Sequence, residues 1–273
     1  MATAHLQIFV NDAPLTIDAG TTLARARALF FPEATAAIVN TVPNPPAETM
    51  LREHDRVYLY KHQADFPGQD LGSLILARQP HAATEKLHAA CVGIAGAGGL
   101  GSVVAENLAR AGIGRLIVAD CDVIEPSNLN RQRYSLRQLG LPKAAALADN
   151  LRESCPFVAV DVVQERINAD TCVRVFKTCG IVCECFDAAE SKASLVTAIR
   201  RQLPGCIVVA ASGLAGCGSA SSIITRRVSA NLYVVGDMHS DAGSGLGLFA
   251  PRVGIAASLQ AHVAMQLILG EQI

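Results

Sequence analysis

The chain has 273 residues, 51% of them hydrophobic, which is enough for one large domain or for a main domain with a small second one. Its 23 basic and 24 acidic residues nearly cancel, so no overall field would attract nucleic acid or an anionic membrane, and we expect neither as a partner. The nine cysteines follow no regular spacing, which favours reduced thiols over disulfides. The first residues lack the pattern of a signal peptide and no apolar stretch looks long enough to span a bilayer, so we expect a cytoplasmic protein.

Between His5 and Tyr60, short apolar runs alternate with turn residues, and one segment, TTLARARALF, has helical character. The pattern predicts a small sheet crossed by one helix, with a loop at the prolines of TVPNPP. The segment KHQADFPGQDLG is polar and contains proline and glycine, which is typical of a linker. We therefore predict a small domain over 1–62, a linker over 63–75 and a main domain over 76–273.

The main domain begins with five β-rich runs of the buried type: CVGIA, RLIVAD, VAVDVV, IVCECF and CIVVAAS. Helical stretches include SVVAENLARA, KAAALADNLRES, NADTCVRVFKTC and ESKASLVTAIRRQL. This alternation predicts a doubly wound, Rossmann-like α/β fold with a mostly parallel sheet. Near the end, SSIITRR and NLYVVG are close enough to pair as antiparallel strands, and GIAASLQAHVAMQLIL is predicted to form an apolar helix.

A glycine-rich loop joins the first strand of this domain to the helix that follows. It consists of Gly96-Ala97-Gly98-Gly99-Leu100-Gly101. Backbone amides at the start of that helix form an anion site, and glycine lets a phosphate approach the backbone closely. Asp120, at the end of the second strand, has the spacing of a carboxylate that accepts hydrogen bonds from a ribose. These features predict an adenosine nucleotide and fit a nicotinamide-dependent dehydrogenase equally well.

The next segment separates these two ligands. It reads DCDVIEPSNLNRQRYSLRQLGLPK and supplies Asn128, Arg131 and Lys143, which could converge on a phosphate chain. A triphosphate needs such cations, whereas the pyrophosphate of a dinucleotide is usually satisfied by the loop and the helix terminus. Any one of these residues alone would be interpreted as a solvated surface charge. Their combination favours ATP.

The elements GAGGLGS and DCDVIEPSNLNRQ, followed by Lys143, resemble the adenylation domain of the ThiF, MoeB and ubiquitin-activating superfamily, from about Leu76 to the C-terminus. The resemblance implies an ATP site and a magnesium ion held by Asp187. It also implies that a dimer partner supplies an arginine, for which Arg78 is the matching residue. The implied nucleotide-binding residues are Gly96, Gly98, Gly99, Gly101, Asp120, Asp122, Ser127, Asn128, Arg131 and Lys143.

The cysteines depart from the pattern of many relatives, which bind structural zinc through two Cys-x-x-Cys pairs. This sequence contains no such pair, so we predict no zinc. Cys183 and Cys185 would face the same side of a strand and are interpreted as buried core thiols. Some relatives capture the activated carrier on a cysteine. Cys217, in GLAGCGSAS, is the candidate for such a thiol nucleophile, because its glycine-rich flanks suggest an open loop.

The predicted small domain resembles a ubiquitin-like (β-grasp) sulfur carrier of the ThiS type but continues into KHQADF instead of ending in Gly-Gly. The whole resemblance implies a homodimer that uses ATP and Mg²⁺ to adenylylate the C-terminal glycine of a ThiS-type carrier, in thiamine thiazole biosynthesis. Three alternatives stay open: activation of a molybdopterin-type carrier, as in MoeB, an NAD(P)-dependent oxidoreductase, and a non-catalytic carrier-binding scaffold.

Overall fold

A computed structural model describes residues 4–61 and 71–273 of the chain. They fall into two compact units that divide between Thr84 and Glu85, within helix α3 (His81–His88). The elements that precede α3 are β1 (His5–Val10), β2 (Ala13–Asp18), α1 (Leu23–Phe30), β3 (Ala36–Val39), β4 (Val42–Pro43), β5 (Arg56–Tyr60) and α2 (Leu71–Leu76).

The first unit contains a five-stranded sheet in the order β2-β1-β5-β3-β4, in which β1 and β5 are parallel. Asn11 and Asp12 join β1 to β2 with φ values of 47° and 63°, as a two-residue hairpin turn requires. Thr22 caps α1 because its hydroxyl accepts a hydrogen bond from the Arg25 amide at 3.3 Å. The sheet and α1 share one apolar core, so the predicted combination of a small sheet and one helix is present.

The predicted linker is wrong at its C-terminal end, because helix α2 begins at Leu71. Apolar residues recur at helical spacing in LGSLIL, and Leu76 is buried. The next residue, Ala77, packs with Ile38 and Tyr58, so this segment belongs to a folded core. The remainder of the proposed linker, from 63 to 70, lies outside the described residues.

The second unit is built on a seven-stranded sheet in the order β11-β12-β10-β9-β6-β7-β8. Every strand pair is parallel except β11 and β12, so the predicted doubly wound sheet and its antiparallel extension are confirmed. Its elements are β6 (Cys91–Ala95), α4 (Gly99–Arg110), β7 (Arg115–Ala119), α5 (Lys143–Ser154), β8 (Ala159–Val163), α6 (Thr171–Phe176), β9 (Ile181–Glu184), α7 (Ala189–Gln202), β10 (Ile207–Ala211), β11 (Ile224–Ser229), β12 (Leu232–Gly236) and α8 (Ala250–Leu269).

The sheet is covered by helices on both faces. Successive strand residues point to opposite faces, and Val208 and Val209 accordingly belong to different apolar clusters. One cluster contains residues of α4, α5 and α8, and the other contains residues of α6 and α7. Burial on both faces explains why these strands are continuous apolar runs in the sequence.

Helix α8 has 20 residues and is apolar enough to cross a membrane by length and composition, so the prediction that no stretch is long enough is wrong. The helix nevertheless packs in the core of the second unit and buries two polar side chains, Arg252 and Gln260. Gln260 donates hydrogen bonds to the carbonyls of Glu184 and Val209 at 2.9 and 2.7 Å. These contacts are those of a core helix of a globular domain.

Replacing Phe176 by alanine should destabilise the second unit. The ring is fully buried, so its removal leaves a cavity that costs about 3–5 kcal/mol of unfolding free energy. The matched control is Phe249→Ala, at a ring that is 52% exposed, with an expected change within about 0.5 kcal/mol. Urea denaturation followed by circular dichroism measures both, and equal midpoints for the two variants would refute this core assignment.

Candidate functional site

A cavity of about 530 Å³ opens at the carboxyl ends of the parallel strands. The strand order reverses at β6, since the chain continues to β7 on one side and returns to β9 on the other. Ligands of doubly wound sheets bind at this reversal point. Loops that follow β6, β7, β9, β10 and β12 line the cavity, together with the first turn of α8.

The glycine loop forms one wall. Gly96 has a φ of 98°, which favours glycine, and its amide donates to the Ala119 carbonyl at 2.8 Å. A Cβ atom on Gly101 would lie 1.8 Å from the Gly96 carbonyl oxygen, so only glycine lets α4 begin this close to the loop. Gly96, Gly98 and Gly99 line the cavity, whereas Gly101 serves this close packing. The amino end of α4 therefore faces the cavity with its amides available to an anion.

Asp120 and Lys143 form the adjoining wall. The Asp120 carboxylate accepts from the amides of Ala97 at 2.6 Å and Asp122 at 2.8 Å, and burial raises its pKa. Lys143 Nζ donates to the Asp122 carboxylate at 2.9 Å, and this contact lowers the pKa of Asp122. Lys143 is buried, so Asp122 holds a desolvated positive charge at the edge of the cavity.

Arg131 and Gln132 bring further polar groups to the cavity wall. The Arg131 guanidinium donates to the Ser127 carbonyl at 3.1 Å and to the Asn130 side chain at 2.8 Å. Its stem lies against the glycine loop, because a Cβ on Gly99 would be 3.3 Å from Arg131 Cγ. The buried Gln132 Oε1 has no hydrogen-bond partner within the described residues. Gln132 was not among the predicted site residues, although it follows Arg131 directly in SNLNRQ.

Ser127 and Asn128 were predicted to bind the nucleotide, but the structure does not bring them to the cavity wall. Asn128 is buried, and its side-chain oxygen accepts from the Glu125 amide at 3.0 Å. The Ser127 carbonyl accepts from Arg131. Both residues shape the short 3-10 turn that presents Arg131.

Asp187 follows β9 and lines the cavity with an exposed carboxylate. Within the described residues this carboxylate has no hydrogen bond or ion pair, so its oxygens are available to a ligand. Carboxylate oxygen is the ligand that Mg²⁺ prefers, usually together with phosphate oxygens of the substrate. The residue therefore fits the predicted magnesium role by its chemistry and by its place at the cavity.

A buried ion pair that the sequence interpretation missed lies next to Asp187. Glu184 is fully buried, and both of its oxygens accept from Lys192 Nζ at 3.1 Å. Lys192 also donates to the Ala211 carbonyl at 3.0 Å and lines the cavity. One ammonium thus ties the ends of β9 and β10 together. The sequence signal was a lone glutamate inside the apolar run IVCECF.

The far wall is held by a second buried ion pair. Asp237 accepts from the amides of His239 and Ser240, both at 2.8 Å, and from the Arg252 guanidinium at 2.5 Å. Arg252 also donates to the Gly218 carbonyl at 2.9 Å. Burial alone would raise the pKa of Asp237, but these hydrogen bonds outweigh it and hold the pKa well below its usual range. The pair fastens the loops after β10 and β12 to helix α8.

Among the remaining candidates, Cys185 lines the cavity. Cys217 is exposed in the loop after β10 and does not line the cavity. Arg78 belongs to the first unit, in the turn between α2 and α3. Cys183 and Cys185 are buried, as predicted for core thiols.

Comparison with known proteins adds a family and a fold. The family model described as "ThiF family" matches residues 72–273. The "Adenylyltransferase and sulfurtransferase UBA4" of Yarrowia lipolytica is 31% identical over 183 residues, which cover 65% of this chain and 45% of that protein. The "tRNA threonylcarbamoyladenosine dehydratase" of Escherichia coli is 37% identical over 111 residues, which cover 40% of this chain and 41% of that protein.

These matches span less than half the length of the two relatives. A crystal structure of the E. coli dehydratase in complex with AMP superposes with a TM-score of 0.65 and 21% identity, covering 72% of this chain and 93% of that one. At that identity the likeness establishes the fold.

Replacing Asp237 by asparagine should weaken the protein in a pH-dependent way. At pH 7 the loss of this carboxylate leaves Arg252 buried without a counter-charge, which costs about 3–5 kcal/mol of unfolding free energy. The folded-state pKa lies below the unfolded value of about 3.9, so the stabilisation is complete above that pH and is lost as the pH falls towards the folded pKa. Urea denaturation should therefore show the two proteins converging below about pH 4.

The matched control for this experiment is Asp149→Asn, since the Asp149 side chain is 73% exposed in its ion pair with Arg152. We expect it to cost about 0–1 kcal/mol at pH 7. A constant gap between wild type and Asp237→Asn from pH 7 to pH 3 would contradict the ion-pair interpretation.

Proposed function

The chain belongs to the ThiF family, and we propose that it is an ATP-dependent adenylyltransferase that activates the C-terminal carboxylate of a small ubiquitin-like sulfur carrier. One observation carries the proposal: a single cavity is lined by the amino end of α4, by Arg131 and Lys143, and by the unpaired carboxylate of Asp187. This combination suits a magnesium-bound triphosphate. The Yarrowia relative, named an adenylyltransferase and sulfurtransferase, supports the same reaction class.

In the proposed complex, the glycine loop and the start of α4 receive the phosphates, and Asp120 accepts hydrogen bonds from the ribose. Asp187 would hold Mg²⁺ with the help of phosphate oxygens, and the ion would neutralise part of the triphosphate charge. Arg131 and Lys143 supply fixed positive charge from the chain itself. Gln132 offers an unpartnered amide oxygen at the same wall.

The reaction needs positioning and charge compensation more than acid-base chemistry. A C-terminal carboxylate has a pKa of about 3.5 and is already ionised at neutral pH, so it requires no general base. Its oxygen forms a bond to the α-phosphorus while the bond to the bridging oxygen of the β-phosphate breaks, and pyrophosphate leaves. Arg131 and Lys143 offset the repulsion between the two anions, and the loop fixes their alignment.

The carrier and its pathway are the finer part of the proposal. We retain a ThiS-type carrier ending in Gly-Gly, with thiamine thiazole synthesis as the pathway. The two relatives described above do not name that pathway, and the Yarrowia protein supports only the broader reaction class. A tRNA-derived substrate is the second candidate, favoured by the similarity to the E. coli dehydratase.

The first unit is proposed to be a ThiS-like module that does not act as a carrier. Support comes from its mixed sheet, in which an antiparallel hairpin and a parallel β1–β5 pair share a core with one helix. Its sequence continues past Tyr60 as KHQADF and lacks a Gly-Gly end, so it offers no terminal carboxylate. A homodimer in which Arg78 reaches the partner's site, and a covalent role for Cys217, also stay proposals.

ATP–pyrophosphate exchange tests the reaction directly. We expect exchange that depends on a ThiS-type carrier ending in Gly-Gly, because only a C-terminal carboxylate in the right register can reach the α-phosphate. The matched control is the same carrier without its last glycine. Exchange with a threonylcarbamoyladenosine-containing tRNA selects the second candidate, NADH binding selects an oxidoreductase, and carrier binding without exchange selects a scaffold.

Replacing Arg131 by alanine should lower the rate of carrier-dependent exchange by about 100-fold to 1,000-fold, the effect of removing one preorganised donor. The matched control is Arg133→Ala, two residues along, whose side chain is 59% exposed and pairs with Glu106.

Asp187→Asn should abolish exchange in a protein of unchanged circular dichroism, with exposed Glu190→Gln as its control. Normal exchange in Arg131→Ala or Asp187→Asn would remove that residue from the mechanism.

A further inference from the structure

Two thiols lie in contact at the amino ends of the parallel strands, whereas the cavity lies at the carboxyl ends. The sulfurs of Cys91 and Cys179 are 3.8 Å apart. Cys91 begins β6, and Cys179 lies in the turn just before β9, so both are at the amino ends of parallel strands whose carboxyl ends reach the cavity. Neither thiol has a role in the proposed adenylylation.

The backbone holds these two residues side by side. The Gly180 amide donates to the Cys91 carbonyl at 3.1 Å, and the adjoining ladder pairs Val92 with Ile181. The turn itself can adjust, because Cys179 is flanked by exposed residues and a Cβ on Gly180 would meet nothing within 4 Å. To form a disulfide, this turn would have to shift so that the two sulfurs move from 3.8 Å to the bonded distance of about 2.05 Å.

The two thiols differ in reactivity in a complementary way. Cys91 is partly exposed, whereas Cys179 is buried. The contact with the Cys179 thiol lowers the pKa of Cys91, burial opposes this shift, and the nearby Arg115 guanidinium adds to it. The neighbouring Cys91 sulfur and burial raise the pKa of Cys179. Cys91 is thus the accessible thiol of the pair and Cys179 its buried partner.

Elsewhere the described chain offers no comparable pair. The exposed cysteines are Cys121 and Cys217, and neither forms a sulfur–sulfur contact within residues 4–61 and 71–273. Cys183 is fully buried in β9, and Cys185, which lines the cavity, contacts the Gln260 side chain rather than a second thiol. Among the described cysteines, Cys91 therefore combines solvent access with a second thiol in contact.

We propose that Cys91 and Cys179 form a redox-active dithiol that hydrogen peroxide converts to a reversible intramolecular disulfide. The Cys91 thiolate attacks one peroxide oxygen, the O–O bond breaks, and the departing hydroxide takes a proton to leave as water. The Cys179 sulfur then attacks the sulfenic sulfur of Cys91, the S–O bond breaks, and the hydroxide leaves as a second water with the Cys179 proton. Two thiols are oxidised and one peroxide is reduced to two waters.

The test is peroxide treatment of the folded 273-residue chain, followed by alkylation with iodoacetamide and peptide mass mapping. We expect one cross-linked peptide pair that joins Cys91 to Cys179, with the loss of two hydrogens, and its disappearance after dithiothreitol. The bond would link residues 88 positions apart, so the oxidised protein should also melt at a higher temperature.

Single variants separate the two roles. Cys179→Ser should leave a sulfenic acid on Cys91 that dimedone traps, whereas Cys91→Ser should leave Cys179 fully alkylatable after denaturation. The matched control is Cys172→Ser, at a buried thiol that contacts a backbone carbonyl, and it should form the same cross-link as the wild type.

The proposal fails if Cys91 and Cys179 both stay reduced while the exposed Cys121 and Cys217 are oxidised. It also fails if wild-type Cys91 is oxidised without joining Cys179. Neither readout involves ATP or a carrier, so these outcomes are independent of the adenylylation proposal.

Discussion

The proposed nucleotide site depends on how closely helix α4 starts against the loop that leaves β6. Because Gly101 has no side chain, the first turn of the helix can pack directly against the Gly96 carbonyl. A Cβ atom on residue 101 would lie only 1.8 Å from that oxygen. This approach directs the amino end of α4 to the carboxyl ends of the central strands. Unpaired amides and a positive dipole end then face the cavity, and the charged side chains on the neighbouring loops add to that field.

Three ion pairs fix the loops around the cavity: Lys143–Asp122, Lys192–Glu184 and Arg252–Asp237. The paired residues are 21, 8 and 15 positions apart, respectively, and the basic member of each pair is largely or wholly buried. Buried pairs add little net stability because desolvation opposes their attraction, but breaking one leaves a costly lone charge. Their effect here is to give each loop a single favourable position, as a site that works by alignment requires.

The sequence predicted the parts of the site that are local. The glycine loop, Asp120, Arg131 and Lys143 were found because a strand, a turn and a helix follow one another within one segment. The sequence interpretation missed two buried ion pairs, Lys192–Glu184 and Arg252–Asp237. The charged partners in these pairs are identified by the contacts they make in the folded domain. The doubly wound, mostly parallel sheet was predictable from buried strands alternating with helices. Gly72, in contrast, was placed in the predicted linker, although it lies in the short helix α2, which begins at Leu71 and is followed by the core residue Ala77.

Arg131 and Lys143, the two cations proposed to bind phosphate, differ in the contacts that a nucleotide would have to displace. Lys143 already has an anionic partner in Asp122, so a phosphate that takes over this contact exchanges one negative neighbour for another. Within the described residues, Arg131 donates to two neutral oxygens, the Ser127 carbonyl and the Asn130 side chain. A phosphate there replaces neutral acceptors by a charged one, and charge-assisted hydrogen bonds are roughly twice as strong as neutral ones. The hydrogen bonds of Arg131 would therefore be strengthened more by a bound triphosphate than those of Lys143. Lys143 instead contributes a positive charge whose position is already fixed by Asp122.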